Sequence, residues 1–200
     1  MLSILILFAH PAYEKSRVNK ALIHNVSKLD NVTVHDIYEQ YPDFDIDVNY
    51  EKSLLLRHDI IVLHHPFYWY SFPPLLKQWM DLVLEYGWAY GTKGTQLRNK
   101  KIFNTITTGG GFAAYQKEGH NRYTITELLA PVDQTAFLCR MTYYPPFVVH
   151  NSHLLNSPEI RNFAEDYLKV ITGLRNESFN EDDLVRATYM NDVINKPYSL

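Results

Sequence analysis

Short apolar stretches alternate along the chain with longer stretches in which apolar residues recur at helical spacing. Several of the short stretches have strand length and are continuously apolar, as strands buried on both faces are. The predicted strands are residues 2–9, 31–38, 59–64, 101–107 and 141–150. The fifth carries Pro145 and Pro146, which predicts an irregular strand or one at a sheet edge.

Five amphipathic segments between and after these strands predict helices. In the first of them, Val18, Leu22 and Val26 follow the spacing of one helix face. The predicted helices are residues 16–29, 48–56, 75–86, 123–139 and 158–174. The third follows a proline pair at 73–74, which a first helical turn tolerates, and Pro131 predicts a kink in the fourth.

This alternation of strands and helices predicts an α/β fold with a parallel, doubly wound sheet. Five strands indicate the flavodoxin-like order 2-1-3-4-5, in which ligands bind at the carboxyl ends of the strands. The domain is expected to span residues 1–174. Residues 175–200 then form a polar tail with an acidic cluster at 181–183, which is either disordered or packed on a partner subunit.

Composition and charge restrict the class of protein. The 200 residues carry a formal net charge of -3, so no broad attraction to nucleic acid or anionic lipid is expected. Cys139 is the only cysteine, which excludes an internal disulfide and fits a reducing compartment. The apolar start lacks basic residues and is too short to span a membrane. These features predict a cytoplasmic protein.

The predicted sheet brings the loops after strands 1, 3 and 4 to one edge. The first loop, residues 10–19, leads into a helix N-terminus, where free backbone N–H groups and the helix dipole favour a phosphate. Ser16 and Asn19 add side-chain donors, although Ser16 is also an ordinary helix cap. The loop contains neither a Walker sequence nor a GxGxxG turn.

The other two loops suit a flat ring. Residues 65–71 include four consecutive aromatic side chains, which cannot all face one core and which fit either a planar ligand or a partner subunit. Residues 107–112 offer three glycines whose N–H groups could meet a negatively charged ring edge, although the same sequence fits a flexible turn. His64 and His65 point to opposite faces of their strand, so no metal site is expected.

Seven segments between about residues 4 and 150 keep a distinctive order and spacing. They are Ala9-His10-Pro11 with Ser16 and Asn19; Tyr41-Pro42-Asp43-Phe44; His65-Pro66 with Trp69-Tyr70-Ser71; Pro73-Pro74-Leu75-Leu76-Lys77; Gly87-Trp88-Ala89-Tyr90-Gly91; Thr107-Thr108-Gly109-Gly110; and Asn121-Arg122-Tyr123. The chain thereby resembles the NAD(P)H quinone oxidoreductase family of the DT-diaphorase and modulator-of-drug-activity type. Within it, the chain most resembles the ancillary flavoproteins of glutathione-gated potassium-efflux systems and the general-stress oxidoreductases.

The resemblance implies a tightly bound FMN, with FAD as the alternative. NADH or NADPH would reduce the flavin, and a quinone or similar small electrophile would reoxidise it in a ping-pong reaction. A homodimer with each site near the subunit interface is also implied. The implied flavin contacts are His10, Ser16, Arg17, Val18 and Asn19 at the phosphate and ribityl chain, Phe67, Tyr68, Trp69 and Tyr70 beside the ring, and Thr107, Thr108, Gly109 and Gly110 at its polar edge.

Tyr115 and His120 are the candidate catalytic residues, because both follow the glycine loop by a short connection and could reach the flavin. Tyr115 matches a tyrosine of the family, whereas the family's nearby histidine has two candidates here, His120 and Asn121. The alternative is that Tyr115 only packs and that His120 is a solvated loop residue.

Two other functions stay open. The resemblance also fits a regulatory subunit of a potassium/proton antiporter, bound peripherally at the inner face of the cell membrane. A flavodoxin-like electron carrier is the third option, against which the aromatic loop indicates a shielded substrate pocket. A neighbouring antiporter gene would favour regulation, and robust turnover of a soluble quinone would favour the enzyme.

Overall fold

The computed structural model describes residues 1–194 and centres on a parallel sheet in the order β2-β1-β3-β4-β5, with β6 also paired to β4. The flavodoxin-like order is therefore confirmed. The strands are β1 (Ile4–Phe8), β2 (Val32–Asp36), β3 (Ile60–Pro66), β4 (Lys101–Thr107), β5 (Thr142–Tyr143) and β6 (Phe147–Val149). All pairings are parallel, so the carboxyl ends of the strands lie at one edge of the sheet.

Helices cover both faces of the sheet. They are α1 (Arg17–Val26), α2 (Ile37–Gln40), α3 (Val48–Arg57), α4 (Pro74–Val83), α5 (Ile125–Leu128), α6 (Ala130–Leu138), α7 (Ser157–Arg175), α8 (Glu181–Arg186) and α9 (Met190–Val193). The prediction of one kinked helix over 123–139 is wrong, because α6 begins anew with Pro131 in its first turn, where the missing N–H is not needed. Among the described residues, no helix is long and apolar enough to cross a membrane.

The fifth predicted strand is divided in two by the proline pair at 145–146. β5 pairs Thr142 with Lys101, and β6 pairs Phe147 with Thr105. Between these two pairings the fifth predicted strand therefore contains one residue more than β4 does. Proline cannot donate to the ladder, and the extra residue lets the chain bulge past the prolines before pairing resumes.

Alternate residues of β1 face two separate hydrophobic cores. Leu5 and Leu7 belong to the core on the side of α3, α4 and α6, whereas Ile4 and Ile6 belong to the core on the side of α1 and α7. All four side chains are fully buried. The continuously apolar strand in the sequence is thus explained by a sheet that is covered on both faces.

The described part of the predicted tail packs against its own chain. Leu184 of α8 and both Met190 and Val193 of α9 are buried in the second core. The Asn191 side chain accepts from the N–H of Val148 at 2.9 Å and donates to its C=O at 3.1 Å, which fastens α9 to β6. The folded unit therefore continues past residue 174. Residues 195–200 lie outside the described part, and packing on a partner subunit stays a prediction.

One carboxylate, that of Glu51 in α3, is completely buried. Its oxygens accept hydrogen bonds from His35 Nε2 at 2.7 Å, from the Tyr41 hydroxyl at 2.6 Å and from Trp79 Nε1 at 2.7 Å. These partners come from β2, from the residue after α2, and from α4. The buried carboxylate thus joins four elements on one side of the sheet, and each hydrogen bond is strengthened by the low local dielectric.

Two adjacent histidines of β3 are buried against different cores. His64 contacts the rings of Phe8 and Tyr167, and His65 contacts Phe72 on the other face. Burial lowers the pKa of His65 to about 4 and holds the pKa of His64 well below its ordinary value. Both rings are therefore neutral near pH 7 and act as fixed hydrogen-bonding groups beneath the edge of the sheet.

Candidate functional site

The carboxyl ends of the strands carry two neighbouring cavities. The first, called the helix-end cavity, has a volume of about 380 Å³. The second, called the aromatic cavity, has a volume of about 290 Å³. The helix-end cavity is lined by His10, Ala12, Lys15, Ser16, Arg17, Val18, Tyr68, Ser152 and His153. The aromatic cavity is lined by Phe67, Trp69, Tyr70, Gly109, Gly110, Ala114, Tyr115, His120 and Asn121.

The helix-end cavity is formed by the start of α1. Ser16 is the N-cap, and its Oγ accepts from the backbone N–H of Asn19 at 3.3 Å and from the Asn19 side chain at 2.8 Å. Since both lone pairs are used, the Ser16 O–H remains available as a donor. The first-turn N–H groups of Arg17 and Val18 have no acceptor within the described chain. Three donors and the positive end of the helix dipole thus meet at this cavity.

Asn19 supports the cavity from below and does not line it. Only 1% of Asn19 is exposed. Its amide nitrogen donates to Ser16 Oγ and, at 3.2 Å, to Thr107 Oγ1, while its Oδ1 accepts from His64 Nε2 at 2.9 Å. Every polar atom of the side chain is therefore engaged inside the protein. In the structure this amide orients Ser16, and its direct contact with a ligand stays a prediction.

His10 supplies a ring donor to the same cavity. The backbone N–H of Ala12 donates to His10 Nδ1 at 3.1 Å, which places the ring proton of the neutral form on Nε2. Burial lowers the pKa of His10, so this neutral form is favoured near pH 7. The histidine therefore offers an N–H without bringing a permanent charge.

A loop that the sequence interpretation did not select completes the cavity. The segment between β6 and α7 contributes Ser152 and His153 to the lining. The Arg17 guanidinium donates to the C=O of Leu155 at 3.0 Å, which links the start of α1 to this segment. Arg17 and Lys15 give the cavity a positive rim. The loop after each parallel strand lies at this edge of the sheet. Applying that rule to the last strand as well would have selected this segment from the sequence.

The aromatic loop is a tight turn that leaves the rings of Tyr68, Trp69 and Tyr70 exposed, whereas Phe67 is buried in the core. Tyr68 and Ser71 close the turn through a 3.0 Å backbone hydrogen bond. Trp69 and Tyr70 both have positive φ, 50° and 62°, a conformation that bulky side chains rarely adopt. Trp69 is 91% exposed. The turn therefore holds large rings at the mouth of the aromatic cavity at a cost in backbone energy.

The glycine loop provides close backbone approach, but its threonine side chains turn inward. The N–H groups of Gly109 and Gly110 have no acceptor within the described residues. A β-carbon on Gly110 would lie 3.3 Å from the Tyr115 ring, so the backbone there packs closely against that side chain. Thr107 is bonded to Asn19, and Thr108 Oγ donates to the C=O of Gly110 at 2.8 Å. Neither threonine lines the aromatic cavity.

The two predicted catalytic residues both line the aromatic cavity but differ in setting. Tyr115 is 5% exposed, and burial raises the pKa of its phenol, with the nearby Tyr70 adding to the rise and the Thr108 hydroxyl opposing it. His120 is exposed at the rim. Asn121 lies beside it and accepts from the Tyr70 hydroxyl at 3.3 Å. The roles of Tyr115 and His120 in catalysis stay predictions.

No group of three or more histidine, cysteine or carboxylate side chains among residues 1–194 is arranged to hold a metal ion. Cys139 is buried, and burial raises the pKa of its thiol to about 11. This edge of the sheet carries hydrogen-bond donors, aromatic rings and a buried phenol.

Comparison with known proteins identifies the family. Residues 3–171 match the model of a family described as having a flavodoxin-like fold. The glutathione-regulated potassium-efflux system ancillary protein KefG of Pectobacterium atrosepticum is 44% identical over 82% of this chain and 90% of its own length. Two solved structures are also similar. General stress protein 14 of Treponema denticola, in complex with FMN, has a TM-score of 0.80 and 39% identity over 86% of this chain and 99% of that one.

The second structure is an NADPH-quinone reductase of P. pentosaceus, with a TM-score of 0.77 and 33% identity over 84% of this chain and 96% of that one. Each of the three alignments covers most of this chain and most of the relative. At these identities, such coverage establishes that the proteins belong to one family. The matches confirm the resemblance that the seven sequence segments indicated. The chain belongs to the flavodoxin-like NAD(P)H oxidoreductase family that includes the potassium-efflux ancillary proteins and the general stress proteins.

Proposed function

We propose that this protein is an FMN-dependent enzyme that transfers two electrons from NADH or NADPH to a quinone. The observation that carries the proposal is the juxtaposition of the two cavities. Tyr68 lines one and Trp69 the other, and a β-carbon on Gly109 would lie 3.8 Å from the His153 ring. One ligand with an anionic end and a planar end fits this pair of adjoining cavities.

The helix-end cavity suits the FMN phosphate. The N–H groups of Arg17 and Val18, the Ser16 hydroxyl and the His10 ring are donors for the phosphate oxygens. Arg17 and Lys15 add positive charge at the rim. The relatives support FMN over FAD, because general stress protein 14 of Treponema denticola was solved in complex with FMN. Charge-assisted hydrogen bonds of this kind are about twice as strong as neutral ones.

The aromatic cavity suits the isoalloxazine ring. Phe67, Trp69 and Tyr70 supply apolar contact area, and the N–H groups of Gly109 and Gly110 are donors for the polar edge of the ring. When bound, FMN would supply hydride acceptance from the nicotinamide and two-electron donation to the second substrate. The backbone N–H groups of Gly109 and Gly110 would hold the polar edge of the ring and would favour its negatively charged reduced form.

Tyr115 is proposed to give a proton to the oxygen of the reduced quinone, since a buried phenol with a raised pKa holds its proton near neutral pH. His120, at the cavity rim, is proposed to orient the incoming substrate. Because both substrates would use the same cavity, they would bind in turn, as a ping-pong mechanism requires. The protein would work in the cytoplasm.

The protein is further proposed to act as a homodimer. Trp69, Tyr86 and Phe112 are 91%, 72% and 56% exposed, respectively. Large apolar side chains left this exposed are better covered by a second copy of the chain than by water. Sedimentation velocity at micromolar concentration should therefore give the mass of a dimer. A fully active monomer would contradict the arrangement.

The experiment that tests the function combines cofactor identification with one substitution. The purified protein should show the visible absorption bands of oxidised flavin, and mass analysis of the released cofactor should give FMN. Ser16→Ala removes one donor to the phosphate and should weaken FMN binding about 10- to 100-fold, since a hydrogen bond to a charged group contributes about 1.5–3 kcal/mol. Riboflavin, which has no phosphate, should bind both forms equally.

Asn156→Ala is the matched control, because it removes the N-cap of α7 without touching either cavity. It should leave FMN affinity unchanged while costing helix stability of about 1 kcal/mol, as a lost cap does. Turnover of 1,4-benzoquinone with NADH or NADPH completes the test. A protein that binds no FMN, or that binds it without oxidising either nicotinamide, would overturn the proposed enzyme.

A second candidate function is regulation of a potassium-efflux antiporter from the inner face of the membrane. The 44% identity to KefG favours it, and it is compatible with the enzyme. Binding to the cytosolic part of an antiporter, with no turnover of soluble quinones, would select regulation as the main role.

A further inference from the structure

The last described segment of the chain packs against the proposed site, although it lies outside the range of the family match. That match ends at residue 171, whereas α8 and α9 come later in the chain. Tyr189 directly precedes α9 and is 8% exposed. Its ring lies 6.1 Å from the His150 ring and 6.3 Å from the Phe112 ring, measured between centroids. The mechanism above uses none of these three side chains.

The row of packed rings continues to Tyr115. The His150 ring lies 5.8 Å from the Phe112 ring and 5.8 Å from the Tyr115 ring. Tyr115 in turn lies 6.1 Å from Phe67, and both of these side chains line the aromatic cavity. Such centroid distances are typical of packed aromatic pairs. Rings therefore connect Tyr189, through His150, to the side chain that is proposed to give a proton to the quinone.

The segment that carries Tyr189 is fastened to the last strand. The backbone N–H of Met190 donates to the C=O of Pro146 at 2.9 Å. The Asn191 side chain bonds both backbone groups of Val148, at 2.9 and 3.1 Å. Tyr189 directly precedes these two anchors, so its ring is held in place by the backbone around β6.

Tyr115, in contrast, belongs to a segment with little internal support. It ends a single 3₁₀ turn, residues 112–115, that follows three glycines. Glycine leaves the backbone many conformations, so contacts from outside the segment must select the observed one. His150 supplies such contacts, because its ring packs on Tyr115 and its Nδ1 lies within hydrogen-bond distance of Thr108 Oγ1, at 3.1 Å.

We propose that Tyr189 is a positioning residue that packs His150 and Phe112 so that the Tyr115 ring keeps its place at the aromatic cavity. The inference rests on the proposed function, and it gives the C-terminal segment a part in catalysis. Since misplacing a reacting group by about 1 Å can cost on the order of 100-fold in rate, loosening this row should slow quinone reduction. FMN binding should change little, because the phosphate donors of the helix-end cavity lie outside the row.

Substitutions at Tyr189 separate positioning from general stability. Tyr189→Ala removes the ring, Tyr189→Leu keeps an apolar side chain without a ring, and Tyr189→Phe keeps the ring. In stopped-flow measurements with the FMN-loaded proteins, reoxidation by 1,4-benzoquinone per bound FMN should slow about 10- to 100-fold in Tyr189→Ala. It should slow less in Tyr189→Leu, which decides the question if Tyr189→Ala does not fold, and Tyr189→Phe should restore the wild-type rate. Reduction of the flavin by NADH or NADPH should stay unchanged in all three.

Leu184→Ala is the matched control. Leu184 is buried in the same C-terminal segment, but it lines a small cavity with Leu2 and Ile60 at the opposite edge of the sheet. Both Leu184→Ala and Tyr189→Ala should lower the midpoint of thermal unfolding, and only Tyr189→Ala should slow reoxidation. Added to Tyr115→Phe, Tyr189→Ala should cause no further loss of rate, because Tyr189 acts through Tyr115.

A readout without FMN tests the packing directly. The backbone N–H of Ala114 donates to the C=O of Gly111 at 3.0 Å, and its hydrogen exchange reports opening of this turn. In the flavin-free protein, Tyr189→Ala should speed this exchange and Leu184→Ala should not.

Three results would overturn the proposal. They are reoxidation at the wild-type rate in folded Tyr189→Ala and Tyr189→Leu, unchanged exchange of the Ala114 N–H in those variants, and equal slowing of both half-reactions by Tyr189→Ala and Leu184→Ala. Wild-type protein that turns over no quinone would instead overturn the proposed function, and the exchange measurement would still decide whether Tyr189 holds the turn.

Discussion

Replacing Gly109 by valine should abolish FMN binding while leaving the fold intact. Gly109 lines the aromatic cavity, and the nearest atoms to a β-carbon there belong to His153 at 3.8 Å, an ordinary contact distance. The protein can therefore accept the new side chain, but its two methyl groups would occupy the space in which the flavin ring meets the backbone. We expect FMN affinity to fall at least about 100-fold, or about 2.7 kcal/mol.

Ala113→Val provides the matched control, since Ala113 is exposed in the same loop and does not line the cavity. It should bind FMN normally. Fluorescence titration measures the affinity of the flavin, and thermal unfolding of the flavin-free proteins compares their folds. Normal FMN binding by Gly109→Val would place the ring elsewhere. An unfolded Gly109→Val protein would show that the loop, and not the cavity, depends on this glycine.

The fold could be predicted from the sequence because its main elements are encoded locally. Residues 4–8 and 60–63 are buried on both faces of the sheet and are continuously apolar for that reason. The helical spacing of Val18, Leu22 and Val26 likewise indicates one buried helix face. The strand order then follows from the rules of parallel sheets.

The sequence could not predict in the same way whether a polar side chain at this edge faces the cavity or the protein interior. Asn19 binds His64 and Thr107, which are 45 and 88 residues away along the chain. A periodic pattern carries no information about pairings over such separations, so the sequence did not show that Asn19 and Thr107 bond to each other inside the protein. The edge of the sheet was predictable, but the way its polar groups divide between ligand and framework was not.

Overlooking the fourth loop has a different cause. The fold rule applies to the loop after the fifth strand as it does to the others, and Ser152 and His153 lie there. Their sequence lacks the aromatic or glycine clusters that drew attention to the other loops. The proline pair at 145–146 further obscured where the strand ends, because pairing resumes after the bulge.

The buried carboxylate of Glu51 leads to the largest expected loss of stability. Its sequence context, an acidic residue in the first turn of α3, resembles any surface helix start. In the structure it is 0% exposed and accepts hydrogen bonds from His35, Tyr41 and Trp79. Glu51→Ala leaves three buried donors without an acceptor and opens a cavity between them. We expect the free energy of unfolding to fall by about 3–5 kcal/mol, as when a buried polar network loses its central member.

Glu85→Ala is the appropriate control, because Glu85 forms an ion pair with Lys52 at the surface and its side chain is 54% exposed. Its removal should cost about 1 kcal/mol or less. Urea unfolding of the flavin-free proteins measures the free energy of unfolding of both variants. Glu51→Gln keeps one acceptor oxygen, so its loss of stability should lie between those of Glu51→Ala and Glu85→Ala. A loss for Glu51→Ala no greater than that for Glu85→Ala would mean that water enters and replaces the carboxylate. In that case the cluster would not join β2, α2, α3 and α4 as its geometry indicates.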